Sequence, residues 1–243
     1  MATKKQGKGT GKGGAKGKAK QPEIEVDQLL SRSEQFIEKN KKSLIYGIAI
    51  VAAIAGIILV YHYRYAIPMN ERAEKAIFRG EQYFERDSFA LALYGNMFDF
   101  EGFESMVSQY GRTKSGNLAK AYAGICHYKL GDPQTAMKHL KSFKANDTQI
   151  SPVIIGLIGD CYVSTGKIKE GIGYFEKASS KANDNLISPI YLKKAGIAYE
   201  SLKQYKDAIR VYTAIKEKYN MSTEAQEIDK YIVRAEILSQ QNN

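Results

Sequence analysis

The sequence predicts an all-α protein in which a single transmembrane helix is followed by a solenoid of helical repeats. The first observation is an uncharged stretch of roughly 21 residues, Ser43 to Tyr63. The second is a helical pattern that recurs in the roughly 180 residues beyond that stretch. The third is proline placed directly after Asp or Ser, which marks the starts of helices in the repeating part.

The stretch 43–63 is long enough to cross a bilayer, because a helix of roughly 21 residues covers about 31 Å at about 1.5 Å per residue. A buried core helix would carry a polar stripe, which this run lacks. A cleaved signal peptide would end in small residues, but Tyr61, Tyr63 and Arg64 stand there. Tyr46 lies near one end of the run, and Tyr61, Tyr63 and Tyr65 lie at the other, as interface anchors. We therefore predict a transmembrane helix.

Positive charge predicts the orientation of this helix. Residues 1–42 hold 11 Lys/Arg and 5 Asp/Glu, a net charge of +6, which leaves +4 of the total +10 for the much longer remainder. Lys39, Lys41 and Lys42 directly precede the apolar run. The positive-inside rule then places the N-terminus in the cytoplasm and the C-terminal domain in the periplasm of a bacterium, anchored in the inner (plasma) membrane.

Residues 1–22 are predicted to be a disordered, Lys/Gly-rich cytoplasmic tail. The first 20 residues contain seven Lys, six Gly and no acid, so little apolar surface is available to order them. The segment GKGTGKGG is not a phosphate loop, because Gly13 stands where Ser or Thr is required. Attraction to anionic lipid and binding of an acidic partner both remain open, although no aromatic residue favours specific nucleic-acid binding.

Residues 23–42 are predicted to form an amphipathic juxtamembrane helix. Apolar residues recur there at helical spacing between charges, namely Val26, Leu29, Leu30, Phe36 and Ile37. This helix would lie on lipid, dock on a partner, or simply extend the membrane helix.

Three segments of the C-terminal part align with one another. Their leading glycines, Gly124, Gly159 and Gly196, are 35 and 37 residues apart (159 − 124 and 196 − 159). Small residues follow where two helices would pack closely, and aromatic residues where repeats would meet: Ala136, Gly171, Ala208, Tyr162, Tyr199, Phe175 and Tyr212.

This pattern resembles the tetratricopeptide repeat family, whose unit is about 34 residues long. The resemblance implies stacked helical hairpins over residues 66–243 with a concave groove lined by the first helix of each repeat. Two departures stand out, since His127 replaces the usual aromatic residue and the family's closing proline is missing from all three repeats.

Helix boundaries follow from capping residues and periodicity. Asp132-Pro133, Ser151-Pro152 and Ser188-Pro189 each predict a helix start with a capping side chain followed by proline. Arg72–Glu85 predicts a further first helix, and Phe103–Tyr110 its partner after a loop around 96–102.

The last predicted helix, Thr223–Ser239, would cap the array. Its apolar face would be formed by Ile228, Ile232, Ala235 and Ile237, opposite a charged face.

The side chains that could carry chemistry do not converge in the sequence. Cys126 and Cys161 hold equivalent positions on neighbouring first helices, and packed helices are about 8–10 Å apart where a disulfide needs about 7 Å. We expect two buried thiols. His62, His127 and His139 have no carboxylate or Cys at metal-ligand spacing, so neither a metal nor a cofactor is expected. The absence of nucleophile, nucleotide and paired-carboxylate motifs predicts a protein without enzymatic activity.

Positions counted from the leading glycines predict a protein-binding groove. It is an equally good interpretation that several of these residues simply belong to the core. The candidates are Ile125, Tyr128, Val153, Asp160, Val163, Ile190, Ile197 and Glu200.

The whole layout resembles the YfgM-like ancillary subunit of the bacterial Sec translocon, in a version typical of Bacteroidota. The similarity lies in the segment from Val26 through FIEKNKK (36–42), the single membrane helix, the repeats, and Tyr110-Gly111-Arg112-Thr113. It implies partners in the translocon, a membrane-anchored periplasmic chaperone of the prolyl-isomerase type, and emerging polypeptides. Three alternatives remain: a mitochondrial-type import receptor with the reverse topology, a scaffold unconnected with translocation, and an enzyme or enzyme subunit whose site the sequence does not reveal.

Overall fold

The computed structural model describes residues 23–96 and 98–241, with only the backbone described for residues 23–33 and Gln35. The predicted tail, residues 1–22, lies outside these described residues. The described chain is helical and contains no strand, which confirms the all-α class. It divides into two compact units, Met1–Tyr61 and His62–Asn243.

The first unit consists of α1, Glu23–Tyr61. Asn40 has non-helical backbone angles (φ −109°, ψ 15°), so the helix is interrupted three residues before Ser43. The Asn40 side chain donates its Nδ2–H to the carbonyl oxygen of Phe36 at 3.0 Å. Within the described residues, one helix is long and apolar enough to cross a membrane by length and composition, and its most apolar 18-residue window is wholly exposed.

The second unit is a succession of helices that pair along the chain. It begins with a π-helical segment, His62–Ala66, and includes a 3₁₀ turn, Glu224–Glu227. Its α-helices are α2 (Ile67–Glu85), α3 (Phe89–Tyr94), α4 (Phe103–Tyr110), α5 (Lys114–Lys129), α6 (Pro133–Ser142), α7 (Ile150–Ser164), α8 (Ile168–Ala182), α9 (Ser188–Ser201), α10 (Tyr205–Lys218) and α11 (Ile228–Gln241).

The predicted tetratricopeptide-like repeats are the hairpins α5–α6, α7–α8 and α9–α10, stacked in chain order. Helix α11 packs on α10, where the capping helix was expected. Ile228 and Ala235 are buried there and Ile232 is partly buried. Ile237, in contrast, is exposed, so its assignment to the packed face is wrong. Helix α11 is the last of the described helices.

Close approach between the two helices of each repeat depends on the leading glycines. A Cβ atom at Gly124 would lie 2.6 Å from the Leu140 side chain, and one at Gly159 would lie 2.7 Å from the Phe175 ring. At Gly196 it would lie only 2.1 Å from the Tyr212 ring. In all three hairpins a large side chain 16 residues later fills the space above the glycine. The close approach at the glycines was expected, whereas Phe175 and Tyr212 were expected only where repeats meet.

The caps of the repeat helices agree only partly with the prediction. Asp132 caps α6 as expected, since its side chain accepts the Thr135 N–H at 3.0 Å. Ser151 and Ser188 lie inside α7 and α9 and do not cap them. Asp147 and Asp184 do so from the preceding turns, by accepting backbone N–H groups such as those of residues 150 and 187.

The partner of α2 also differs from the prediction. A short helix, α3, follows α2 directly and pairs with it, and its Ala92 and Leu93 are fully buried. Gly95, with φ of 77°, then ends this helix in the left-handed region that favours glycine. Helix α4 occupies the predicted span but packs chiefly against α5. Six residues are too few for a periodic signal, so sequence patterns do not reveal α3.

Candidate protein-binding surface

The eight predicted groove residues all lie on the first helices of the repeats, distributed over α5, α7 and α9. Their environments divide them into three groups, which are packed, ion-paired and exposed. Only the residues of the last group are classed as exposed.

The packed group consists of Ile125, Tyr128 and Val163. Ile125 and Tyr128 pack against the buried cluster that contains Leu140 and Ile158. Val163 packs against the cluster of Phe175, and a Cβ at Gly171 would lie 2.6 Å from the Val163 side chain. These three residues therefore connect the repeats rather than form a free surface.

The ion-paired group consists of the two acids. Asp160 on α7 accepts from the Lys194 ammonium of α9 at 2.7 and 2.9 Å. Glu200 on α9 accepts from the Arg234 guanidinium of α11 at 2.9 and 3.0 Å and from the Tyr212 hydroxyl at 2.7 Å. Both charged pairs join residues 34 positions apart. The acids thus join consecutive first helices.

The exposed group consists of Val153, Ile190 and Ile197, which are 43%, 38% and 46% exposed. We call these three residues the apolar row. Val153 and Ile190 hold equivalent positions 37 residues apart, and Ile197 lies two turns after Ile190 on the same helix. Exposure of branched aliphatic side chains to water costs roughly 25 cal/mol of free energy per Å² of apolar area.

Tyr191 holds α7 and α9 together beside the apolar row. Its hydroxyl donates to the carbonyl oxygen of Val153 at 3.2 Å. A Cβ atom at Gly156 would lie 1.9 Å from its ring, so only glycine permits this approach. Burial raises the pKa of the Tyr191 hydroxyl to about 12, which keeps this donor protonated. The apolar row therefore lies on two helices, α7 and α9, that Tyr191 joins directly.

Sequence reasoning missed the cations that complete this face. The Lys194 ammonium lies 5.6 Å from the Tyr191 ring centroid, and the Lys193 ammonium lies 4.9 Å from that of Tyr231 while bonding to Glu227. A search for opposite charges 34 residues apart would have found the Asp160–Lys194 and Lys193–Glu227 pairs.

The two cysteines are buried in different clusters and are free thiols. Desolvation raises the pKa of Cys126 and that of Cys161 to about 12, with the charge of Asp160 contributing at Cys161. Both groups stay protonated at neutral pH, which makes them poor nucleophiles.

The histidines depart from the expectation that no carboxylate accompanies them. Glu104 lies against both His127 and His139, within hydrogen-bond distance of each. The expectation is wrong because the three residues come from different helices that only the packing of the chain brings together.

Comparisons with known proteins identify no family for this chain. No protein-family model and no curated protein sequence matches it. Among solved structures, a crystal structure of MamA is similar at 18% identity and a TM-score of 0.43, over 67% of this chain and 95% of that one. A crystal structure of MamA protein is similar at 15% identity and a TM-score of 0.49, over 72% of this chain and 93% of that one.

Proposed function

We propose that this protein is a single-pass membrane protein whose helical repeats form a scaffold that binds other polypeptides. The observation that carries the proposal is the apolar row of Val153, Ile190 and Ile197, exposed on two consecutive first helices. Exposed apolar side chains on a regular stack suit the side chains of an extended or partly unfolded polypeptide.

The contacts around the row support this use of the surface. Asp160 and Glu200 are neutralised by Lys194 and Arg234, so neither acid offers a free charge to a ligand. The same pairs hold the first helices in place, and a preorganised surface loses less entropy when it binds. The ligand chemistry that fits is therefore apolar rather than strongly charged.

The apolar segment of α1 supports the membrane anchor. From Ser43 to Tyr61 the segment carries no charged residue and its side chains are exposed. Water would solvate this surface at a large cost, whereas the hydrocarbon core of a bilayer would not. The charge distribution of the chain favours a cytoplasmic N-terminus and a periplasmic repeat unit.

We further place this scaffold beside the Sec translocon, with a prolyl-isomerase-type membrane-anchored chaperone and emerging chains as partners. The support is the layout of basic N-terminal segment, single apolar helix and repeats, together with the segment 36–42. A repeat surface fixed just outside the bilayer is suited to meet polypeptides where they emerge.

Photo-crosslinking in cells tests the surface. A photoreactive amino acid replaces Val153, Ile190 or Ile197 in the full chain, one at a time. We expect crosslinked polypeptides from all three positions. Met221 is the matched control, since it is apolar and 84% exposed but lies in the turn after α10. Equal crosslinking from Met221, or none from the row, would contradict the assignment of the surface.

Affinity purification from a detergent extract tests the translocon partnership. Wild type should retain translocon and chaperone subunits, and a variant with Val153, Ile190 and Ile197 changed to Ser should lose them, unlike Met221→Ser. If wild type retains neither partner while the crosslinks persist, the result would support a polypeptide-binding scaffold and contradict the translocon partnership.

Protease accessibility tests the topology. In intact cells with a permeabilised outer membrane, the repeat unit should be digested while an epitope at the N-terminus survives. The reverse result would favour an import receptor with cytosolic repeats, because that protein would expose its repeats to the cytoplasm.

A further inference from the structure

Two histidines and one glutamate meet where α4, α5 and α6 come together. Glu104 lies in the first turn of α4, His127 near the end of α5 and His139 in the last turn of α6. Each residue comes from a different helix, so the cluster exists only through tertiary packing. It lies away from the apolar row and takes no part in the proposed binding of polypeptides.

The three side chains direct their polar atoms at one another. The Oε1 atom of Glu104 is 2.5 Å from the His127 Nε2 atom and 3.0 Å from the His139 Nε2 atom. One ligand atom from each residue falls within 4.8 Å of the other two. The imidazole rings stack with their centroids 5.3 Å apart and their planes 12° from parallel. Both rings therefore present the same nitrogen to one carboxylate.

The cluster is shielded but still reachable from solvent. The side chains of His127 and His139 are 8% and 14% exposed, whereas that of Glu104 is 35% exposed. Neutral imidazole nitrogens can ligate a metal ion, and the partly exposed Glu104 carboxylate makes the cluster accessible from solvent.

Asp132 stands behind His127. Its Oδ2 atom is 3.8 Å from the His127 Nδ1 atom, while its Oδ1 atom accepts the Thr135 N–H at 3.0 Å. A carboxylate on the far side of a ligating histidine orients the ring and favours the proton on Nδ1, which frees Nε2 for a metal. At 3.8 Å the Asp132 carboxylate is too far from Nδ1 for a hydrogen bond and acts on His127 through its charge alone.

We propose that Glu104, His127 and His139 bind one divalent transition-metal ion of the Zn²⁺, Co²⁺ and Ni²⁺ class. Two imidazoles and a carboxylate match the preference of these ions, whereas Mg²⁺ and Ca²⁺ take oxygen ligands. With metal–ligand bonds of about 2.0–2.2 Å, ligand atoms around a tetrahedral ion lie about 3.3 Å apart. The separations present, from 2.5 Å to within 4.8 Å, bracket that value.

The ion would replace the direct contacts between the histidines and Glu104. Without it, the Nε2 atom of each histidine lies within hydrogen-bond distance of the Glu104 carboxylate; with it, both Nε2 lone pairs and the carboxylate face the metal. It would fasten α4, which belongs to the irregular N-terminal part, to the first repeat hairpin α5–α6. Binding of the folded state alone then raises the resistance to unfolding.

Titration of the full chain in detergent, purified without a polyhistidine tag, tests the site. The probe is Co²⁺, whose visible d–d absorption reports its ligands, with Zn²⁺ as competitor. We expect one Co²⁺ per chain, without the near-ultraviolet absorption of a thiolate ligand, and displacement by Zn²⁺. Zn²⁺ should also raise the thermal unfolding midpoint.

Two conservative variants each remove one ligand. They change Glu104 and His139, because both side chains are more exposed than that of His127. Glu104→Gln and His139→Gln should each weaken binding by at least about tenfold, as losses in metal sites do, and should lose the Zn²⁺-dependent rise in midpoint. His62→Gln, which changes the histidine outside the cluster, should bind as wild type does. Circular dichroism without metal establishes that the variants fold. The proposal would be overturned, in favour of a purely hydrogen-bonded cluster, if wild type did not bind Co²⁺ or if E104Q and H139Q bound it as tightly as wild type does.

Discussion

Helices α7–α10 and helices α2–α4 both enclose buried aromatic side chains, but the first region adds polar contacts that recur from one repeat to the next. In α7–α10 the same side-chain bond recurs, since Lys181 donates to Asn146 at 2.6 Å and Lys218 to Asn183 at 2.8 Å, both across 35 residues. In α2–α4 aromatic packing dominates. Phe103 stacks on Tyr122 of α5 with 4.9 Å between centroids, and Phe84 packs edge-on against Tyr122 at the same distance.

This difference separates two ways of joining helices. The hydrogen bonds that recur at one repeat length join equivalent residues of successive repeats. A substitution that removes one of them therefore has an equivalent substitution in the next repeat. Aromatic packing depends on filled volume, so the loss of stability when a ring is removed is large. Substitutions can test this comparison, and four follow from the largest expected effect to the smallest.

Phe103→Ala should give the largest loss. Phe103 is fully buried, and removing such a ring costs about 3–5 kcal/mol. Because each hairpin contacts only its neighbours, hydrogen exchange of the full chain should show lost protection in α4 and α5 while α9 and α10 stay protected. Phe98→Ala is the control, since Phe98 is 93% exposed and should change stability by less than about 0.5 kcal/mol. Equal loss of protection in α9 and α10 would show that the regions are not separately held.

Gly196→Ala should cost about 1–3 kcal/mol, the usual cost of overpacking. The new Cβ would lie 2.1 Å from the ring of Tyr212, which is fully buried and bonded through its hydroxyl to Glu200. Gly173→Ala is the matched control, because a Cβ there meets nothing within 4 Å. That change should stabilise α8 by about 0.5–1 kcal/mol. Urea unfolding measures the free energy of unfolding of both variants. If G196A were as stable as wild type, α9 and α10 would separate easily to admit the new methyl group.

Asp147→Ala and Asp184→Ala should each cost about 0.5–2 kcal/mol through loss of a helix cap. The Asp147 carboxylate accepts three backbone N–H groups at the start of α7, and Asp184 accepts two before α9. Urea unfolding should therefore show a similar decrease for both, slightly larger for D147A. Glu217→Ala, on the exposed side of α10, should stay within about 0.5 kcal/mol. An effect in only one repeat would contradict the equivalence of the two caps.

The smallest effect should come from Glu227, which anchors the turn before α11. Hydrogen bonds from the Lys193 and then the Lys230 ammonium lower the pKa of Glu227 to about 2. Because the folded-state pKa is lowered, the stabilisation is present above the ordinary glutamate pKa of about 4.3 and disappears as the pH falls through about 2. Thermal unfolding of wild type and Glu227→Gln should therefore differ at pH 6 and converge toward pH 2. The difference should be small and weaken with salt, because the carboxylate is exposed. A difference that grows at low pH would contradict the assignment.

The comparison also explains which features could be predicted. The close approach of two helices at the leading glycines and the Asp132 cap follow from residues close in sequence, and both are present. The caps of α7 and α9 were assigned to Ser151 and Ser188, since proline follows each. Asp147 and Asp184 perform this role because the chain enters each helix earlier, and a side chain four residues upstream competes successfully for the same N–H groups.

The sequence by itself determined the all-α class, the apolar helix and the order of the helical hairpins, because periodicity, capping and glycine spacing are properties of neighbouring residues. Only the tertiary structure decided the fate of side chains that meet across helices. It joined Asp160 and Glu200 to cations of the next helix, left Val153, Ile190 and Ile197 exposed, and brought Glu104 to two histidines. Such meetings depend on how helices cross and where a short helix such as α3 intervenes, and no local pattern records either.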